Sequence, residues 1–138
     1  TVVLGTGVGV GVAILLASEG LQRVSAQARR LQQDLIHLFG PLRGWQLALL
    51  VVTGVVSEEM LFRGAMLESW GIVASSLIFG AVHGGLWGRW AIWSLWATAA
   101  GFAFSWAVWA TGSLWSSVIA HGIVNGWTLA RYKRGAMT

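Results

Sequence analysis

Ser57-Glu58-Glu59-Met60-Leu61-Phe62-Arg63 sets two carboxylates and a guanidinium inside a long apolar run, with no charge from Gly44 to Ser57 ahead of it. A charge near a bilayer centre costs roughly 2.5–3.5 kcal/mol even on the lenient insertion scale, so these ionisable groups need a reason. Helical spacing supplies part of one. Glu59 and Arg63 stand i and i+4, share a face and can pair. Glu58 lies about 100° round the helix from Glu59, on another line of the same broad face. One acid can then be neutralised by Arg63 while its neighbour stays free for proton chemistry. The rival reading is a structural ion-pair cluster buried between packed helices, and the spacing leaves both open.

The surrounding composition points to a membrane. Hydrophobic residues make up 56% of the 138 residues and charged ones 10%, with a mean hydropathy of +0.68, well outside the soluble average. The length suits one domain. Absence of Cys excludes a disulfide framework and thiolate zinc sites. The net charge of +4 is small, and no stripe of interleaved aromatic and basic residues suggests nucleic-acid binding. A start at Thr1 instead of Met fits a trimmed or processed chain.

Uncharged stretches divide the chain. Thr1–Ser18 is long enough to span with little tilt. Its Gly5/Gly9 and Gly7/Gly11 pairs would let helices approach closely. From Glu19 to Phe39, Leu21, Val24, Ala28, Leu31, Leu35 and Leu38 recur at helical spacing among Arg, Gln and Asp. This predicts an amphipathic helix on the membrane surface, or a solvated connecting helix, ended by Gly40-Pro41. Gly44 to about Trp70 forms the second span and Gly71–Gly88 the third. Trp90–Ala130, free of formal charge, is too long for one span and right for two, with Thr111-Gly112-Ser113 as the turn. The expected fold is all-α: a membrane bundle of about five spans with one amphipathic helix. Residues 1–43 would form the first span and interfacial helix, and 44–138 the functional core.

Every basic residue except Arg63 falls on one side of such a five-span chain. The positive-inside rule makes that side, with the C-terminus, cytoplasmic. Trp45, Trp70, Trp87, Trp90 and Trp115 fall near span ends, where aromatic belts form. Trp93, Trp96, Trp106 and Trp109 lie deeper and are expected to pack or face lipid.

Few other polar groups lie within spans. His83 is one; His121 and Asn125 stand i and i+4 and can point at one target. His37 reads as a surface histidine and Glu68 as interfacial. A lone His in an apolar helix is more often hydrogen-bonded core than catalyst. Two His, two Glu and an Asn on three spans shift that judgement toward chemistry. A desolvated carboxylate can take a proton from water, a histidine can orient that water, and His and Asn can donate to a developing oxyanion. These are parts for amide hydrolysis. The serines show no G-x-S-x-G elbow. Zinc is the alternative, with Glu58, His83 and His121 as ligands. Helical H-E-x-x-H is missing, and Arg63 would oppose a cation, so the metal-free reading is favoured.

Glu58-Glu59-x-x-x-Arg63, Phe79-x-x-x-His83 and His121-x-x-x-Asn125, in that order, resemble the motifs of the CAAX-protease and bacteriocin-processing (CPBP, Abi-type) family. That family includes the CAAX prenyl endopeptidase. The resemblance covers roughly residues 44–130 and implies a membrane-embedded helical endopeptidase with a polar cavity open to substrate. It implies that Glu58 activates water, Glu59 and Arg63 position the site, His83 assists the water, and His121 and Asn125 form the oxyanion site. The implied partners are the lipid bilayer and a membrane-associated protein or peptide, in a bacterial or archaeal cell membrane. Family members often have more spans, so a second copy of the chain could complete the cavity. Some relatives suggest a different class: a non-catalytic immunity factor or scaffold.

Overall fold

The computed structural model describes residues 1–39, 41–85 and 87–135. It is all-helical, with no strand among the described residues. In chain order the elements are α1 (Val2–Val24), α2 (Ala26–Phe39), α3 (Gly44–Glu59), a π-helical segment (Met60–Met66) and α4 (Leu67–Gly84), then a 3₁₀ turn (Gly88–Trp90), α5 (Ala91–Thr111) and α6 (Leu114–Gly135).

Long helices stand in the places read as spans. Among the described residues three stretches are long and apolar enough to cross a membrane: Val2–Val24, Gly44–Gly84 and Ala91–Thr111; α6, in the place of the expected fifth span, is not one of them. The second is not one rod. At Gly71 the backbone takes φ 79° and ψ 174°, which a side chain would resist. Past that point the chain turns back. Phe62 and Phe79 would lie about 25 Å apart on a continuous helix, yet their ring centroids are 5.0 Å apart. The boundary expected between Trp70 and Gly71 is therefore a real reversal. Gly112, at φ 64°, caps α5 and makes the expected turn into α6. Gly40, part of the expected stop after α2, lies outside the described residues.

The N-terminal third differs from expectation in two ways. First, α1 runs on to Val24, and the break comes at Ser25, whose hydroxyl accepts a bond from the Ala28 N–H at 3.2 Å. Arg29 Nη1 donates to the carbonyls of Gln22 and Arg23 at 2.9 and 3.1 Å, covering the open end of α1. Second, the apolar face of α2 meets protein. Ala28 and Leu35 are buried, and Leu35 packs with Leu47, Leu129 and Tyr132. Periodicity identifies an apolar face but not its partner.

Glycines set the closest helix contacts. A Cβ on Gly7 would come within 2.8 Å of the Ser116 carbonyl, and one on Gly11 within 3.0 Å of the Ala120 carbonyl, so this pair seats α1 on α6. Gly5 and Gly9 have the same spacing but face outward with nothing within 4 Å. A Cβ on Gly80 would overlap Thr98, and one on Gly84 would meet the Trp90 carbonyl at 2.5 Å, which brings α4 against α5. The central core holds Phe62, Phe79 and Phe104 with Ile14, Ala97, Ala100 and Ala120. Trp45, Trp70, Trp87 and Trp115 are exposed, as an interfacial belt requires, whereas Trp90 is partly buried against the Leu35–Tyr132 cluster.

Candidate active site

The charged motif sits where α3 widens into the π-helical segment, a feature that often marks functional positions. The Leu67 N–H bonds back to the Phe62 carbonyl, five residues earlier. That carbonyl also accepts the Ser75 hydroxyl at 2.6 Å from the returning leg of α4. The widened turn is thus tied to the hairpin it faces, and its carbonyl is satisfied in an apolar setting.

Glu59 and Arg63 lie behind the site with fully buried side chains. Glu59 Oε1 accepts from Arg63 Nη1 at 3.1 Å and from His121 Nδ1 at 2.8 Å. Arg63 Nη2 donates to the Gly101 carbonyl at 3.2 Å. Its guanidinium lies 4.1 Å from the centroid of Phe79 and 5.2 Å from that of Phe104, a cation–π setting that offsets part of its desolvation. Gly101 must be small: a Cβ there would stand 3.3 Å from Arg63 Nη2.

Glu58 turns the other way, into a cavity of about 470 Å³ that is also lined by His83, His121 and Asn125. Its side chain is 35% exposed, while Oε2 itself is enclosed and has no hydrogen-bond partner. That oxygen stands 3.6 Å from His83 Nε2 and 4.0 Å from His121 Nε2. His83 Nδ1 meets the Phe79 carbonyl at 2.6 Å. A carbonyl only accepts, so Nδ1 carries a proton, and in the neutral ring Nε2 presents a lone pair toward Glu58. Asn125 Nδ2 meets His121 Nε2 at 3.1 Å. With His121 Nδ1–H donating to Glu59, Nε2 accepts from Asn125.

All six residues singled out from sequence therefore converge, from four helical segments, and they separate into two groups. Glu59 and Arg63 are locked in the protein, while Glu58, His83, His121 and Asn125 face the cavity. In the zinc set considered above, Glu58 Oε2 faces both His83 Nε2 and His121 Nε2, and both ring nitrogens of His121 have other partners. His121 Nδ1 is held by Glu59 and its Nε2 is covered by Asn125. Among the described residues no group of three or more His, Cys, Asp or Glu side chains is placed to hold a metal ion.

Three contributors were not singled out from sequence. Phe104, 1% exposed, stacks on His121 with centroids 4.9 Å apart and planes 22° apart. Trp93 and Trp96, expected to pack or face lipid, line the cavity, and Trp93 lies T-shaped to His83 with ring centroids 5.8 Å apart. In a run as uniformly apolar as Trp90–Ala130, only the small residues Ala97, Ala100 and Gly101 hint at which face meets the site.

Comparison with curated proteins and with solved structures returned no match. One family model does match, described as type II CAAX prenyl endopeptidase Rce1-like, over residues 40–127. That interval holds all three motifs and both faces of the charge cluster, and with the apolar helices it makes the chain an integral membrane protein. The chain belongs to the Rce1-like family of type II CAAX prenyl endopeptidases, a family of intramembrane proteases.

Proposed function

We propose that this chain hydrolyses a peptide bond in a membrane-associated protein or peptide, with Glu58 activating the water and without a metal ion. The observation that carries the proposal is the division between adjacent acids. Each acid keeps its Oε2 without a hydrogen-bond partner, but Glu59 is fully buried and held through Oε1 by Arg63 and His121, while Glu58 lines the cavity and its Oε2 faces His83 Nε2 across 3.6 Å. A carboxylate and a lone pair both accept, so a water beside them can donate one hydrogen to each.

Glu58 takes a proton as the water oxygen attacks the carbonyl carbon of the scissile bond. His83 holds the other hydrogen and so orients the attack. The developing oxyanion receives an N–H from Asn125 Nδ2, whose first hydrogen is spent on His121 and whose second is available. His121 acts here mainly by holding Asn125 in place. Glu58 then returns its proton to the leaving nitrogen as the C–N bond breaks, which frees the amine and restores the base.

Cleavage of candidate apolar peptides by the purified chain in detergent, followed by mass spectrometry with and without a strong chelator, tests this reading. Activity should survive chelation, and elemental analysis should find no stoichiometric zinc. Activity lost to the chelator and restored by Zn²⁺ would move Glu58, His83 and His121 into ligand roles and overturn it.

A further inference from the structure

The imidazole of His121 is held at both nitrogens by bonds that lie in its plane. Nδ1 donates to Glu59 at 2.8 Å and Nε2 accepts from Asn125 at 3.1 Å. Hydrogen bonds tolerate bending and weaken steeply only below about 120°. The two bonds therefore leave the ring free to rock about the line joining its nitrogens. Rocking has a consequence for Asn125. The Nε2 lone pair lies in the ring plane, and the Asn125 amide is flat. A tilted imidazole swings both Asn125 hydrogens, including the one offered to the oxyanion.

Phe104 meets the face of that ring. The two planes are 22° apart with centroids separated by 4.9 Å, whereas Phe79 lies T-shaped to His121 at 5.8 Å. Phe104 comes from α5, a helix that carries none of the three motifs. One turn earlier on α5, the Gly101 carbonyl accepts from Arg63 Nη2, and the Arg63 guanidinium lies 5.2 Å from the Phe104 centroid. The contacts close a circuit. Glu59 holds Arg63, Arg63 holds α5, α5 carries Phe104 onto His121, and His121 returns to Glu59. Glycine keeps α5 in place: a Cβ on Gly80 would overlap Thr98, and one on Gly101 would stand 3.3 Å from Ser76 Cα.

We propose that Phe104 is a positioning residue: its ring fixes the tilt of His121 and, through it, the aim of Asn125. Filling core volume needs only an apolar side chain of the right size. Supporting an imidazole face-on needs a flat ring. The effect on turnover rests on the hydrolytic reading above, and the tilt of the ring is read separately, so that the two can fail separately.

The full chain, with its three histidines isotope-labelled, is followed by NMR in detergent micelles. The His121 ring protons, assigned by their loss in His121→Gln, should lie upfield of those of the exposed His37, as protons over an aromatic face do. Phe104→Met is apolar and not flat, and it should move them downfield; Phe104→Tyr should keep them. In the peptide-cleavage assay Phe104→Met should lower kcat by roughly 10- to 100-fold at nearly constant KM, the cost of a misaimed group. Phe104→Tyr should recover most of that loss. His121 signals with no upfield shift in the parent chain, a measurement that needs no variant, overturn the inference. So does a kcat per folded molecule in Phe104→Met equal to the parent's, with only its melting temperature lowered. The expected shifts with no hydrolysis by the parent chain keep Phe104 as the support of His121 and overturn the hydrolytic reading instead.

Discussion

Replacing Arg63 by alanine removes the one buried guanidinium among the described residues and exposes what the charge cluster contributes. Three interactions are lost together: the 3.1 Å pair with Glu59, the 3.2 Å bond to the Gly101 carbonyl and the stack on Phe79. The remaining Glu59 carboxylate is fully buried and keeps only His121. Breaking one side of a buried pair costs about 3–5 kcal/mol; the Gly101 carbonyl lies within α5 and keeps its helical bond. A loss of about 3–5 kcal/mol is a large share of a typical folding stability of about 5–15 kcal/mol. Arg63→Lys should lose less: an ammonium can reach Glu59 but cannot also keep the forked bond to Gly101 and the planar stack. The paired variant Glu59→Gln/Arg63→Met removes both charges and should be more stable than Arg63→Ala alone, because no uncompensated charge remains. Equilibrium unfolding in mixed detergent micelles, followed by circular dichroism, gives all three values. A loss below about 1 kcal/mol in Arg63→Ala, or a paired variant no better than Arg63→Ala, would refute the assignment of Glu59 and Arg63 as a buried, mutually dependent pair.

Other consequences follow from close contacts and from the cavity. Asn125→Ala should lower kcat by roughly 10²–10³ with little change in melting temperature, the size expected for one oxyanion donor; unchanged turnover would remove Asn125 from that role. Gly80→Ala forces a Cβ into Thr98 and should cost about 1–3 kcal/mol by overpacking, visible as a lower midpoint in thermal unfolding. Gly7→Leu and Gly11→Leu should separate α1 from α6 and destabilise the bundle, whereas Gly5→Leu and Gly9→Leu should be tolerated, since they face open space; thermal unfolding of the four variants checks the contrast. Cysteines at Ala26 and Gly88 should be labelled from the same side, the cytoplasmic one by the basic-residue bias, and labelling of Ala26 from outside would overturn that orientation. Ala136, the matching position at the C-terminus, lies outside the described residues.

The parts of the fold that were legible are those fixed by spacing along one helix or by loss of apolar character. Glu59 and Arg63 meet because i and i+4 share a face, and the Trp70/Gly71 boundary coincides with the one residue able to take φ 79° there. What was not legible depends on partners. Gly5/Gly9 and Gly7/Gly11 have identical spacing, and only the position of α6 decides which pair is used. The amphipathic pattern of α2 shows an apolar face, but whether lipid or Leu129 and Tyr132 cover it is a tertiary matter. The π-helical segment arises where the Phe62 carbonyl is shared between Leu67 and Ser75, a contact made across the hairpin. Ser25 was readable in principle: a serine ahead of Ala26 is an N-cap signal, overridden here by an apolar periodicity that runs through it. Phe104, Trp93 and Trp96 are aromatic in an aromatic-rich run, and nothing local marks which of them turn toward His121 or His83.

The division between the two acids is tested most directly by comparing Glu58→Gln with Glu59→Gln as peptide hydrolysis per folded molecule, each beside its melting temperature. Glu58→Gln should lose at least about a hundredfold in turnover, the lower range for a general base, with its melting temperature near that of the parent. Glu59→Gln should lose stability together with activity, because it leaves the Arg63 guanidinium unpaired in the core. An active Glu58→Gln beside a stable but inactive Glu59→Gln would mean that the roles of the two acids are reversed. Full function in both would contradict glutamate-dependent proteolysis altogether, and a non-catalytic immunity or scaffold role would take its place.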